Sequence, residues 1–231
     1  MTKENLEYFK NNPSNNYCRM DCDLGALIYV SIGQLNNLKM HLVETNGHNF
    51  VRYEYSDKKY INWDNNSAQI FTDVEFQKGL TPSSSSTLTE DEIKKGHFLQ
   101  NMPIEEIIGY HYTNTSRLAK ENLKITKALE HLKQAVKIRP YSPLALNNLS
   151  WLYLTTKELE SPENYNRALE LSKRVDDILP RDAGYKDTYS CACAAIGNFK
   201  EAIRLGIIAG SSPLQIKGYK GSKTCLEMGI N

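Results

Sequence analysis

Long hydrophobic runs are missing from this chain of 231 residues. Its longest apolar stretches, such as Leu24 to Ile32, fall well short of the ~20 residues that span a bilayer, so no membrane segment is expected. An excess of one charge is missing too. The 28 basic residues meet 27 acidic ones, a formal net charge of +1, and no block of like charge occurs, which argues against nucleic acid or an anionic membrane surface as partner. The N-terminus carries acids and lacks the apolar core and cleavage site of a secretory signal. Cysteine is scarce: Cys18, Cys22, Cys191, Cys193 and Cys225 are five, an odd number without framework spacing, so all are expected as thiols in a cytoplasmic protein. With 40% hydrophobic residues, the composition is that of a globular protein of one or two domains.

Three regions separate by composition. An Asn-rich, aromatic part spans residues 1–80, a polar linker follows at 81–90 around Thr81-Pro-Ser-Ser-Ser-Ser-Thr87, and residues 91–231 carry helical periodicity. Thr89 stands three residues before Glu92, the spacing of a capping box, so a helix is expected from there towards Gln100. In the first part Leu24, Leu27, Ile28, Ser31, Ile32 and Leu35 form the stripe of a helix with Asp21 as N-cap and an end near Asn36-Asn37. Strands are expected at Met40 to Thr45 and His48 to Tyr55, joined by Asn46-Gly47 in a type I′ turn, and at Tyr60 to Asp64.

In the C-terminal part Ala128, Leu132, Ala135 and Pro140 match Ala168, Ser172, Val175 and Pro180 in spacing. The pattern resembles the second helix of the tetratricopeptide repeat, where alternating small and large residues pack between helices and Pro closes the unit. A partial third copy begins at Gly197, and Ala145 to Tyr153 and Asp187 to Ala195 fit the intervening first helices. The first copy departs from the pattern, since Tyr110 to Asn122 lacks the usual small residue. The second departs in the long interval Thr155 to Asn166. About three repeats imply a helical stack that binds a protein or peptide.

A thiol at a helix start is activated by unpaired backbone N–H groups and the macrodipole, and Cys22 occupies that position. A nucleophilic thiol needs a base within reach and a third group to orient that base. His48 opens the second strand and Asp64 ends the third, so a meander packed on the helix can bring the three together. Taken singly, Cys22 reads as a small buried hydrophobe, His48 as a half-buried strand residue and Asp64 as a turn acid; the joint pattern points to catalysis.

The segments Asp21-Cys-Asp-Leu-Gly-Ala-Leu-Ile-Tyr29, Leu42-Val-Glu-Thr-Asn-Gly-His-Asn-Phe-Val-Arg52 and Ile61-Asn-Trp-Asp64 resemble the core of bacterial transglutaminase-like proteins with tetratricopeptide tails. The likeness covers roughly residues 16–73 and the helical tail. It implies an α+β protein, a small domain of one helix and an antiparallel meander followed by an all-α repeat stack. It also implies cysteine acyl transfer without a cofactor or metal, with Cys22 as nucleophile, His48 as base and Asp64 as orienting acid. The thiolate attacks an amide carbonyl, the imidazolium protonates the leaving amine, and water or a second amine resolves the thioester, so hydrolysis, deamidation and transamidation share one route. Asn16, or its neighbour Asn15, is the side-chain candidate for the oxyanion donor, with the Cys22 backbone N–H as a second. Only about twenty residues precede Cys22, where the family carries a longer helical segment. Truncation therefore sets a competing expectation beside the enzyme: a noncatalytic repeat protein that binds a peptide and keeps a relic of the catalytic domain.

Other residues receive blander readings. Cys18 is an exposed spectator; Trp63 and Tyr53 are core packing; Arg52 is a surface or ion-pair residue. A zinc site of Cys18, Cys22, His41 and His48 fails on register: with Thr45 opposite His48, His41 lies about 13 Å from the partner of His48 at ~3.4 Å per residue. Cys191 and Cys193 occupy repeat positions that want small residues, and Cys225, His97, His111 and His131 have no companions.

Overall fold

Helix α1 spans Cys22–Leu35 in the computed structural model, which describes residues 22–84 and 86–230. Asp21, the expected N-cap, lies outside the described residues. The helix stops where expected, with Asn37 in the left-handed region at φ 58°, a conformation Asn tolerates better than most residues. Its buried side is Gly25, Ala26, Val30 and Gly33. The leucine and isoleucine stripe faces outward instead, with Leu24, Ile32 and Leu35 at 51%, 56% and 84% exposure. Close approach explains the inversion. A Cβ on Gly33 would sit 2.0 Å from the Met40 sulfur and one on Gly25 2.4 Å from Asn65 Nδ2, so only small residues let α1 lie this near its neighbours.

Strands β1 (Met40–Thr45), β2 (His48–Ser56), β3 (Lys59–Asp64) and β4 (Gln69–Phe71) form one antiparallel sheet in the order β1-β2-β3-β4. Thr45 pairs with His48 across Asn46-Gly47, the expected register. Positive φ falls on Gly47 alone (76°), whereas a type I′ turn needs it at both residues, so the hairpin forms through a different two-residue turn. Strand β4 and the short helix α2 (Asp73–Gln77) extend the expected helix-plus-meander. Thr72 and Glu75 cap α2 reciprocally, a Thr-x-x-Glu signature as legible as the one at Thr89.

The chain divides into two compact units between Thr87 and Leu88. The second unit is entirely helical in its named elements: α3 (Glu90–Gly96), α4 (Ile104–Glu121), α5 (Ile125–Ile138), α6 (Pro143–Thr155), α7 (Pro162–Ile178), α8 (Ala183–Ala195), α9 (Phe199–Ala209) and α10 (Pro213–Lys220). Thr89 caps α3 as expected. The helix ends at Gly96 rather than near Gln100, because His97 turns left-handed at φ 53° and the Phe98 ring folds over Gly96, 2.3 Å from where a Cβ would stand. Helices α4 and α5, α6 and α7, and α8 and α9 pack as successive pairs.

The repeated positions Ala128, Leu132, Ala135, Ala168, Ser172, Val175 and Ala202 are all buried. In the first pair the small residue missing from Tyr110 to Asn122 is Gly109, one position earlier, where a Cβ would meet Ile138 at 2.9 Å. The long interval of the second pair holds a 3-10 turn at Lys157–Leu159. The α+β composition is thus an antiparallel sheet with two flanking helices in one unit and packed helices in the other.

The cysteine expectation is corrected. Cys191 and Cys225 form a disulfide with Cα atoms 5.5 Å apart, so Cys225 has a companion after all. Their sequence separation of 34 hides a closeness that arises only when the turn after α10 folds back on α8. The cysteine count therefore no longer supports a reducing compartment. No helix among the described residues is long and apolar enough to cross a membrane.

Candidate functional site

His48 is the first residue of β2 and Asp64 the last of β3. Val51 pairs with Trp63, and side chains alternate along a strand, so His48, Phe50 and Asp64 share one face. His48 Nε2 lies 3.3 Å from Asp64 Oδ1, with both side chains almost wholly buried. Asp64 Oδ1 also accepts the backbone N–H groups of Asn66 at 2.9 Å and Ser67 at 3.4 Å, which fixes the carboxylate and closes the turn into β4. Phe76 of α2 backs the imidazole at 6.1 Å between ring centres and stacks on Phe50 at 3.9 Å. Burial lowers the pKa of His48 below 6.5, while the charge and hydrogen bonding of Asp64, and the charge of Asp23, pull it back up. A neutral imidazole with Nε2 turned to a carboxylate leaves Nδ1 as the nitrogen that can take a proton.

Cys22 is half-buried at the first position of α1. Its thiol donates to Asp23 Oδ1 at 3.3 Å, and the same oxygen accepts Asn49 Nδ2 at 2.8 Å. Helix α1 meets Met40 and Asn49, which belong by alternation to the sheet face opposite His48, and Asn65 of the turn after β3. Cys22 and His48 each open their element, and Asp23 is the neighbour they share: it accepts the thiol and its charge acts on the imidazole. The structure thus joins His48 to Asp64 and Cys22 to Asp23, with no hydrogen bond between Cys22 and His48. Asn15, Asn16 and Cys18 lie outside the described residues.

A second polar cluster stabilises α2. Arg52 Nη2 donates to Asp73 Oδ1 at 2.5 Å and Arg52 Nε to Asn62 Oδ1 at 2.8 Å. Asn62 Nδ2 and the Tyr60 hydroxyl donate to the two Asp73 oxygens at 2.7 and 2.6 Å, and the guanidinium lies 4.2 Å from the Tyr60 ring centre. Arg52 is therefore an ion-pair residue, as expected, but a buried one. Tyr53 and Trp63 are half-buried. His41 sits on β1 opposite Arg52, 3.4 Å from Glu54. Among the described residues no cluster of His, Cys, Asp and Glu could hold a metal ion.

Sequence reasoning missed Asp23, Asn49 and Phe76. Asp23 and Asn49 adjoin Cys22 and His48 in the chain, and the Thr72 capping box would have placed Phe76 on a helix. Comparison with protein-family models finds no match, and comparison with curated proteins finds none either.

Proposed function

We propose that the protein is a transglutaminase-like thiol enzyme, with Cys22 as nucleophile, His48 as general base and Asp64 as the acid that orients His48, joined to a tetratricopeptide-type stack that recruits a protein or peptide. The observation that carries this reading is the buried His48–Asp64 pair, 3.3 Å apart. A nearly inaccessible imidazole held by an equally buried carboxylate is an arrangement suited to base catalysis. Support for the repeat module comes from the three packed helix pairs and the buried small residues Ala128, Ala168 and Ala202.

In the reaction, the Cys22 side chain rotates from Asp23 towards His48, and Nδ1 takes the thiol proton. The sulfur adds to an amide carbonyl carbon, forming the C–S bond and an oxyanion that the Cys22 backbone N–H stabilises. Collapse expels the amine, which receives its proton from the imidazolium, and leaves a thioester. Water or a second amine then attacks the thioester, His48 accepting the proton of the nucleophile and returning it to the sulfur. Asp64 offsets the positive charge of the imidazolium whenever it forms, the direction in which its charge acts on the His48 pKa.

A specific observation favours a second reading, an interaction protein with an inactive N-terminal unit: the Cys22 thiol is engaged by Asp23 rather than by His48. Acylation by p-nitrophenyl acetate separates the two. An enzyme gives a burst of p-nitrophenolate and an acetyl group on Cys22, located by peptide mass spectrometry, both lost in Cys22→Ala and greatly slowed in His48→Ala. An inactive unit gives no burst and no Cys22 adduct above that of His48→Ala.

A further inference from the structure

The helical unit contains a cavity of about 160 Å³ between α4, α5 and α6. Its deep side is Ala128, Leu132 and Leu152, all buried, and Trp151 forms part of the wall. The polar residues that line it are Ser116, Arg117, Lys120 and Asn148, and no acidic residue does. Lys120 is half-buried, yet its ammonium makes no ion pair or hydrogen bond with any described residue. Burial alone, with no opposing charge, lowers its pKa.

Desolvating a cation without a countercharge is costly, and proteins normally pair such groups or leave them in water. Here the partner is missing from the cavity wall while an apolar chamber opens beside the charge. A cavity of ~150 Å³ accommodates a benzene ring, so the space matches a compact apolar group. A fully hydrated inorganic anion would gain nothing from Leu132 and Trp151. A carboxylate carried on a hydrocarbon body would satisfy both halves, its oxygens accepting from Lys120 and the Asn148 amide and its body lying against the apolar wall.

We propose that this cavity is a binding site for a small organic carboxylate, with Lys120 as its counter-ion and Leu132 and Trp151 as the contacts for its apolar body. Nothing in it depends on Cys22 or on acyl transfer, so the site stands or falls separately from the catalytic reading.

The test titrates benzoate and its uncharged isostere benzamide into the full chain carrying Trp63→Phe, which leaves Trp151 as the only indole. Saturable benzoate quenching of Trp151, with benzamide roughly tenfold or more weaker, is expected from loss of a charge-assisted hydrogen bond. Lys120→Met is expected to weaken benzoate by a similar factor and Lys120→Arg to retain it. N-acetyl-Gly-Phe with a free carboxylate, against its C-terminal amide, distinguishes a free acid from a chain end: binding of benzoate alone assigns the site to free acids, and binding of both admits peptide termini. Failure of both carboxylates to bind, or equal binding of benzoate and benzamide to the unsubstituted cavity, overturns the proposal even if Lys120→Met does not fold.

Discussion

His48 and Asp64 meet at 3.3 Å inside the first unit, where neither has appreciable access to water. Removing the carboxylate would take the nearby charge from a buried ring nitrogen and the acceptor from two backbone N–H groups, those of Asn66 and Ser67. Asp64→Ala is expected to destabilise the first unit by about 1–3 kcal/mol. Urea unfolding followed through Trp63 fluorescence in a Trp151→Phe background checks it.

The same pair makes stability depend on pH. Burial holds the folded-state pKa of His48 below the ordinary 6.5, so between the two values the unfolded chain binds the extra proton. Protonation therefore favours unfolding. The His48 contribution is intact above pH 6.5 and is lost as pH falls through the depressed folded value. Unfolding midpoints measured from pH 7.5 downwards are expected to drop across that window, and His48→Gln is expected to flatten the drop.

Asp73 receives hydrogen bonds from three side chains, those of Arg52, Tyr60 and Asn62. Asp73→Ala takes one charged acceptor from a buried guanidinium that keeps its hydrogen bond to Asn62, and since Asp73 itself is partly solvated the loss is screened. A cost of about 1–3 kcal/mol is expected in the same urea assay. Asp73→Asn, which keeps one acceptor oxygen, is expected to lose less.

The Cys191–Cys225 bond closes a loop with a sequence separation of 34 residues. By loop-closure entropy a bridge of that length stabilises by about 3–4 kcal/mol. Reduction, or the double variant Cys191→Ala/Cys225→Ala, is expected to lower the unfolding midpoint of the helical unit and leave that of the sheet unit unchanged. Circular dichroism at the helix band and Trp63 fluorescence read the two units separately.

Periodicity and turn chemistry made much of the fold legible. The repeat spacing located the buried faces of α5 and α7, Asn46-Gly47 located the hairpin and its register, and Thr89 located α3. The polarity of α1 was not legible, because hydrophobicity favoured Leu24, Ile28 and Ile32 for the core. Contact distance chose Gly25 and Gly33 instead, and no single-sequence pattern reports how near a helix approaches its neighbours. The disulfide was hidden for a related reason: it joins α8 to the turn after α10, a closure set by tertiary packing. At the candidate site the sequence pointed to His48 and Asp64, which share a sheet face through strand alternation and register. It did not foresee that Asp23, beside the nucleophile, would take the thiol hydrogen bond.

The central claim is that Cys22 and His48 act on one proton, and iodoacetamide labelling of Cys22 at pH 7 tests it most directly. The assay uses a Cys18→Ser background. Cys193 serves as an internal control, since burial raises its pKa to about 11 and keeps the thiol protonated. With His48 serving as base, Cys22 is expected to label on the order of tenfold faster than in His48→Ala, the factor of one pKa unit. Equal rates in the two proteins, both as slow as an ordinary thiol, would contradict the account.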